Sequence, residues 1–492
     1  MAANLKSLAK DTAIYGMSSI IGRFLNYLLV PLYTAKMSVE SGGYGIITNV
    51  YSYTALFLVL LTFGMETTFF RYANKADEDP NKVYSTTLIS VGSVALLFIA
   101  LVIAFLSPIS DVMGYADHPE YIGVMAIVVA FDAFQAIPFA YLRYKKRPIK
   151  FAALKLLFIG LNISLNLIYY VAIPYLYKIN PALIGYIYDP TVGVGYAFFI
   201  NLVCSAFITI FFIPELRVKF VFDKALMKRM LVYSWPILVL GIAGILNQTA
   251  DKILFPFIYK GVDSDSQLGI YGAASKIAMI MAMITQAFRY AYEPFVFGKS
   301  RDKDSTATYA KAMKYFIIFT YLAFLMVMGY MDILKHIIAP GYWVGLKVVP
   351  IVMAAEIMMG IYFNLSFWYK LIDKTIWGAV FSGIGCAALI AVNFIFVPKF
   401  GYMACAWGGF VGYGTAMILS YIVGQKKYPI AYPLKSIALY TVLAAIIFAA
   451  ISFFTFPSRI LQMGFNTILI AIFIFVILKI EKFKLPARFS HH

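Results

Sequence analysis

Long apolar runs separated by short polar segments fill the chain from end to end. Runs of 18 or more apolar residues recur, and that is the length a helix needs to cross a hydrocarbon layer about 30 Å thick. The pattern predicts fourteen spans, at roughly 12–34, 46–66, 83–107, 121–141, 151–174, 191–214, 231–256, 269–292, 312–330, 348–368, 375–397, 402–424, 436–456 and 460–478. The pattern also repeats. Residues 12–71 give an apolar run carrying Arg23, a polar gap, the pair Tyr44-Gly45, a second apolar run, and Glu66 near its end. Residues 233–297 give a run carrying Asp251-Lys252, then Tyr271-Gly272 and Glu293. Tyr44 to Glu66 and Tyr271 to Glu293 are both 22 residues apart. Such a repeat implies two lobes built alike, with a site between them.

Charge fixes an orientation. With the N-terminus inside, 29 of the 41 Lys and Arg residues fall in inside segments and 7 in outside ones. That bias matches the positive-inside rule and puts both termini in the cytoplasm. The inside connection 215–230, ELRVKFVFDKALMKRM, reads as an amphipathic interfacial helix joining the lobes, or as an ordinary basic loop. Residues 298–310 read as a polar inside loop.

Composition excludes several classes. Of 492 residues, 62% are hydrophobic and 13% charged, too apolar for a water-soluble chain of this length. The net charge of +18 is spread between spans as a topology signal, so no nucleic-acid partner is implied. The three cysteines lie in apolar runs with no metal spacing or disulfide framework. No phosphate-cradling Gly-rich loop is present, no catalytic constellation stands out, and no cofactor or metal is expected.

Ionisable groups at membrane depth are costly and face a cavity or a partner. Arg23 lies mid-span, on one helical arc with Ser19 and Asn26. Asn247, Gln248, Asp251 and Lys252 form a second arc, and Ser275, Gln286, Arg289 and Glu293 a third. Thr48, Thr62 and Glu66 form a fourth. These four faces are expected to turn toward one water-filled cavity. The cations Arg23, Lys252, Lys276 and Arg289, with Asn26, point to an anionic ligand, and arginine's planar fork suits phosphate. Asp251, Glu66 and Glu293 are candidates for a coupling cation, a proton or sodium. Asp251 equally suits an ion pair with Lys252 or Arg289, and the two glutamates suit pairing with Arg71 and Arg289. Lys276 and Lys155 also fit as lysines reaching for an interface, and Asp132 and Glu356 as lone buried acids.

The stretches LAKDTAIYGMSSIIGRFLNYLLVPLYT and YGIITNVYSYTALFLVLLTFGMETTFFRY, with YSWPILVLGIAGILNQTADKILF and LGIYGAASKIA in the second copy, resemble the Wzx-type polysaccharide flippases. These belong to the MOP superfamily with the MATE exporters and the lipid II flippase MurJ. The resemblance implies an all-α polytopic membrane protein of about 14 transmembrane helices. Two six-helix lobes, 1–214 and 231–424, would be related by a pseudo-twofold axis, joined by 215–230 and followed by two C-terminal helices within 425–492. It further implies alternating access, moving undecaprenyl-pyrophosphate-linked oligosaccharide to the outer leaflet of a bacterial inner membrane for surface polysaccharide synthesis. Membrane lipids and the polysaccharide polymerase and assembly proteins would be its partners. Arg23 and Asp251-Lys252 are the positions it carries over. Two alternatives stand beside it: a MATE-like cation-coupled exporter of small organic molecules, and a membrane-embedded polysaccharide-assembly enzyme, which the short loops disfavour.

Overall fold

The computed structural model describes residues 21, 24–25, 27–299, 305–372 and 374–481, without the side chains of 290, 291, 293–299 and 305. All regular structure among them is helical. Twelve helical segments are long and apolar enough to cross a membrane. A further apolar helix, Gly195–Ile210, is shorter at 16 residues. The span expected at 12–34 lies largely outside the described residues, and its end forms α1 (Leu29–Lys36).

The first lobe contains α2 (Gly43–Thr62), α3 (Met65–Ala73), α4 (Pro80–Ala104), α5 (Leu106–Met113), α6 (Pro119–Tyr144), α7 (Pro148–Leu167) and α8 (Gly195–Ile210). Helix α6 is central here, packing on α2, α4 and α8. The second lobe contains α9 (Lys224–Ile258), α10 (Ser264–Lys299), α11 (Ser305–Gly329), α12 (Val349–Leu365), α13 (Ile376–Phe400) and α14 (Tyr402–Lys427). In it α14 packs on α13 and α12, and α12 on α10. Two final helices, α15 (Leu434–Phe453) and α16 (Arg459–Ile480), lie against α11. Large apolar side chains such as Leu96, Leu97, Phe394 and Phe475 are exposed on the bundle. Bulk water would penalise that surface, whereas hydrocarbon does not.

Local chemistry sets the helix starts. Asp79 caps α4 by accepting from the Asn81 N–H, with Pro80 at the first helical position. Asp223 caps α9 by accepting from the Leu226 N–H at 2.9 Å. Thus 215–230 is not one amphipathic helix: residues 217–223 are non-helical, and α9 already begins at Lys224. The early side chains Leu226 and Met230 are fully buried in one cluster with Phe69 and Tyr84 of the first lobe. Further along the same helix, Asn247 donates to the Ser382 carbonyl of α13 at 2.9 Å. Helix α9 therefore serves both lobes.

The second predicted span is not one straight helix. It breaks between α2 and α3, where Phe63 and Gly64 have φ of 50° and 67°. The chain becomes more polar past this point, from the apolar α2 to α3 with its Glu66 and Arg71, but the break itself is set by backbone sterics. Gly64 packs so tightly on Ile237 that a Cβ there would lie 2.9 Å from its side chain. The corresponding part of the second copy, in α10, continues as unbroken helix.

Polar contacts divide between the two ends. At the lysine-rich end, Lys82 meets Asp223, Arg229 meets Glu78 at 2.8 Å, and Lys150 reaches the buried Glu215 at 2.6 Å. At the charge-poor end the lobes meet through glycine. A Cβ on Gly45 would lie 1.8 Å from the Asp265 carbonyl oxygen, and one on Gly272 would lie 2.3 Å from Thr48 Oγ1. The two Tyr-Gly pairs of the repeat thus mark the place where α2 and α10 cross in backbone contact.

Candidate functional site

Two polar clusters lie at membrane depth. The first sits on α9 and α10. The Lys252 ammonium lies 3.0 and 3.1 Å from the two Asp251 carboxylate oxygens and donates to the Gln248 carbonyl at 2.8 Å. Asp251 is 5% exposed, and its Oδ2 also accepts from the Tyr271 hydroxyl at 2.6 Å. A buried carboxylate with a cation and a hydroxyl donor is well satisfied. Lys276 lies one turn and a half beyond Tyr271 on α10. Among the described contacts Lys276 has no hydrogen bond or ion pair. Tyr413 of α14 donates to the Asn247 carbonyl of α9 at 3.2 Å. This cluster therefore ties α10 to the charged turn of α9, with α14 bonded one turn earlier on α9.

The second cluster lines a cavity of about 300 Å³ inside the first lobe, bounded by Glu66, Asp132, Gln135, Arg143 and Lys155 with Phe139, Phe151 and Phe158. Arg143 donates to Glu66 at 2.7 Å. Asp132 accepts from the Ser205 hydroxyl at 2.9 Å. Gln135 donates to the Ser205 carbonyl and the Thr209 hydroxyl at 2.8 and 2.9 Å. The Lys155 ammonium sits 4.0 Å from the centre of the Phe139 ring.

These positions correct the shared-face reading. Thr48, Thr62 and Glu66 do not lie on one helix, because the chain turns at Phe63–Gly64. Thr48 meets Gly272 of the other lobe, whereas Glu66 turns into its own lobe and pairs with Arg143, not Arg71. Arg71 instead lies 4.1 Å over the Tyr233 ring. The arc on α9 is also divided. Asn247 faces Ser382, and Asp251 faces Tyr271. Arg289 lies 5.0 Å from the Phe363 ring in a small space with Thr285, Tyr292 and Asn364, so it faces α12 within its lobe. Lys155 reaches into the first-lobe cavity and not to an interface. Arg23, Asn26 and the Glu293 side chain lie outside the described residues.

Four further polar residues escape sequence reasoning: Arg143, Gln135, Asn49 and Tyr115. Arg143 reads as one of a group of loop charges, although it sits in the last turn of α6. Asn49, next to Thr48, carries the one side-chain amide of α2, and that is the available signal.

The profile of the family described as polysaccharide biosynthesis protein matches residues 8–291. The chain belongs to that family. Its fold is shared with solved structures at low identity. It is similar to the lipid II flippase MurJ in an inward closed conformation, at TM-score 0.71 and 16% identity, over 95% of this chain and 99% of that one. It is similar to an inward-facing multidrug resistance MATE transporter of the MOP superfamily, at 0.64 and 14%, over 82% and 93%. It is also similar to the MATE multidrug transporter DinF-BH, at 0.59 and 17%, over 85% and 95%. No curated protein sequence matches the chain. The family and these folds bear out the resemblance read from the two copies and the all-α polytopic class.

Proposed function

We propose that this polysaccharide biosynthesis family protein is a flippase. It moves undecaprenyl-pyrophosphate-linked oligosaccharide from the inner to the outer leaflet of a bacterial inner membrane, with both termini in the cytoplasm. The observation that carries the reading is the placing of two cations, Lys252 on α9 and Lys276 on α10, on the helices packed against α2 of the other lobe. Two ammonium groups on these helices, one lacking a described partner, suit a pyrophosphate bearing several anionic oxygens. Arg23 and Asn26 would complete the anion site from the first lobe. Arg289 would guide the head group. The lipid tail would stay in the bilayer while the lobes rock about the glycan. Polymerase and assembly proteins would take the product. Asp251, Glu66 and Glu293 are the candidates to take a proton or sodium that resets the cycle.

The second reading, a cation-coupled exporter of small organic molecules, is favoured by Asp251 beside Tyr271. Reconstituted vesicles separate the two. Fluorescent pyrophosphate-linked glycolipid in the inner leaflet should become reachable from outside only in the presence of protein, and Lys276→Met should abolish this. Export of organic cations without glycolipid movement would overturn the flippase reading.

A further inference from the structure

Proline has no N–H. Within α9, Pro256 therefore leaves the carbonyl four residues earlier, that of Lys252, without its regular helical donor. A carbonyl left unpaired away from water is costly. Here the donor comes from the other lobe: Asn49 Nδ2 of α2 donates to the Lys252 carbonyl at 2.8 Å. Asn49 is 1% exposed. Its Oδ1 accepts from the Tyr115 hydroxyl at 3.0 Å, and Tyr115 is itself buried. Turning the amide over would lose the Lys252 bond, since a carbonyl accepts only from its nitrogen side, while the Tyr115 hydroxyl could accept from that nitrogen instead.

Other polar contacts near this end reach into loops. Ser266 donates to the Val39 carbonyl at 2.7 Å, and Tyr342 to the Met37 carbonyl at 2.8 Å. The first of these is partly open to water, whereas the second is as buried as Asn49, with Tyr342 1% exposed. The Asn49–Lys252 bond differs in joining two helices within their length. Each partner lies six residues from the end of its helix, about 9 Å deep, and Asn49 and Tyr115 are both shielded. Lys252 is also the residue whose ammonium is held by Asp251, so its main chain and side chain answer to different lobes.

We propose that Asn49 is the lock of the charge-poor end and the positioning residue for Lys252. The lobes separate there only by taking from the Lys252 carbonyl the donor that Pro256 withholds. An anion drawing on the Lys252 ammonium acts on the residue that carries the lock. The proposal rests on the alternating-access reading above.

The test uses the full chain in lipid nanodiscs. Spin labels at Asp117→Cys and Lys399→Cys, exposed positions at the charge-poor end of the two lobes, report their separation by pulsed electron resonance. Asn49→Leu should raise the ratio of long to short distances roughly tenfold, as expected when a buried carbonyl pairing is lost. Tyr115→Phe should move it the same way by less. Pro256→Ala restores the helical donor, so it should raise the ratio without touching Asn49, and adding Asn49→Leu should then change little. Equal effects of Asn49→Leu with and without Pro256→Ala would overturn the proposed role of the carbonyl. Parent-like distances in Asn49→Leu, with Tyr342→Phe lengthening them, would overturn the lock and keep lobe rocking. Distances that no substitution changes would overturn both.

Discussion

The Tyr271 hydroxyl donates to one oxygen of Asp251 while Lys252 contacts both, so a single buried carboxylate ties α10 to the charged turn of α9. Tyr271→Phe removes one charge-assisted bond and keeps the ring that lies 5.3 Å from the Lys252 ammonium. The expected loss of stability is about 1.5–3 kcal/mol, read from thermal or denaturant unfolding in a fixed detergent. Parent-like stability would mean that Tyr271 contributes nothing to holding Asp251.

Lys252 has two tasks that substitution can separate. Lys252→Met leaves Asp251 with an unbalanced charge and should lower stability. The pair Asp251→Asn/Lys252→Met removes both charges and should recover most of it. Neither protein should bind pyrophosphate-linked lipid well, with affinity down roughly 10–100-fold if one charge-assisted contact is lost. Full binding by the double variant, measured by titration in nanodiscs, would take Lys252 out of the anion site.

Glu66 and Arg143 should behave as a unit. Their side chains are 43% and 34% exposed, so the pair stabilises the fold by no more than about 1 kcal/mol. Transport should fall in Glu66→Gln and in Arg143→Gln with little change in the melt. If pairing is what matters, Glu66→Arg/Arg143→Glu should restore transport. Failure of the swap beside a normal melt would show that the carboxylate itself is required at position 66.

Orientation can be checked with single cysteines, since Cys204, Cys386 and Cys405 are all buried. A cysteine at Val262, fully exposed at the charge-poor end, should react with an impermeant reagent added to intact cells. One at Lys219, exposed in the connection before α9, should react only after permeabilisation. The reverse pattern would invert the molecule in the membrane.

The sequence displayed most of the apolar spans, twelve of them among the described residues, because these depend on hydropathy, a local property. It also displayed the Tyr-Gly repeat, whose glycines prove to be the points of closest approach between lobes. The direction of Glu66 was hidden. It depends on a break at Phe63–Gly64, and positive φ at a phenylalanine leaves no trace in an apolar run. The cavity holding Asp132 and Lys155 was hidden for another reason. Its walls come from α3, α6, α7 and neighbouring helices far apart in sequence, so each residue looked solitary. Asn49 acquires its meaning only from a proline 207 positions away.

The double membership of α9 has a consequence for biosynthesis. Leu226 and Met230 complete the cluster around Phe69 and Tyr84, yet they belong to a helix that continues into the second lobe. A nascent chain that ends before residue 224 cannot close its first core, however long the ribosome pauses there. Fragments divided at 217–223 and co-expressed should thus leave the N-terminal piece open to quality-control proteases until the other arrives. A cut at the connection would leave neither lobe with all of its own core.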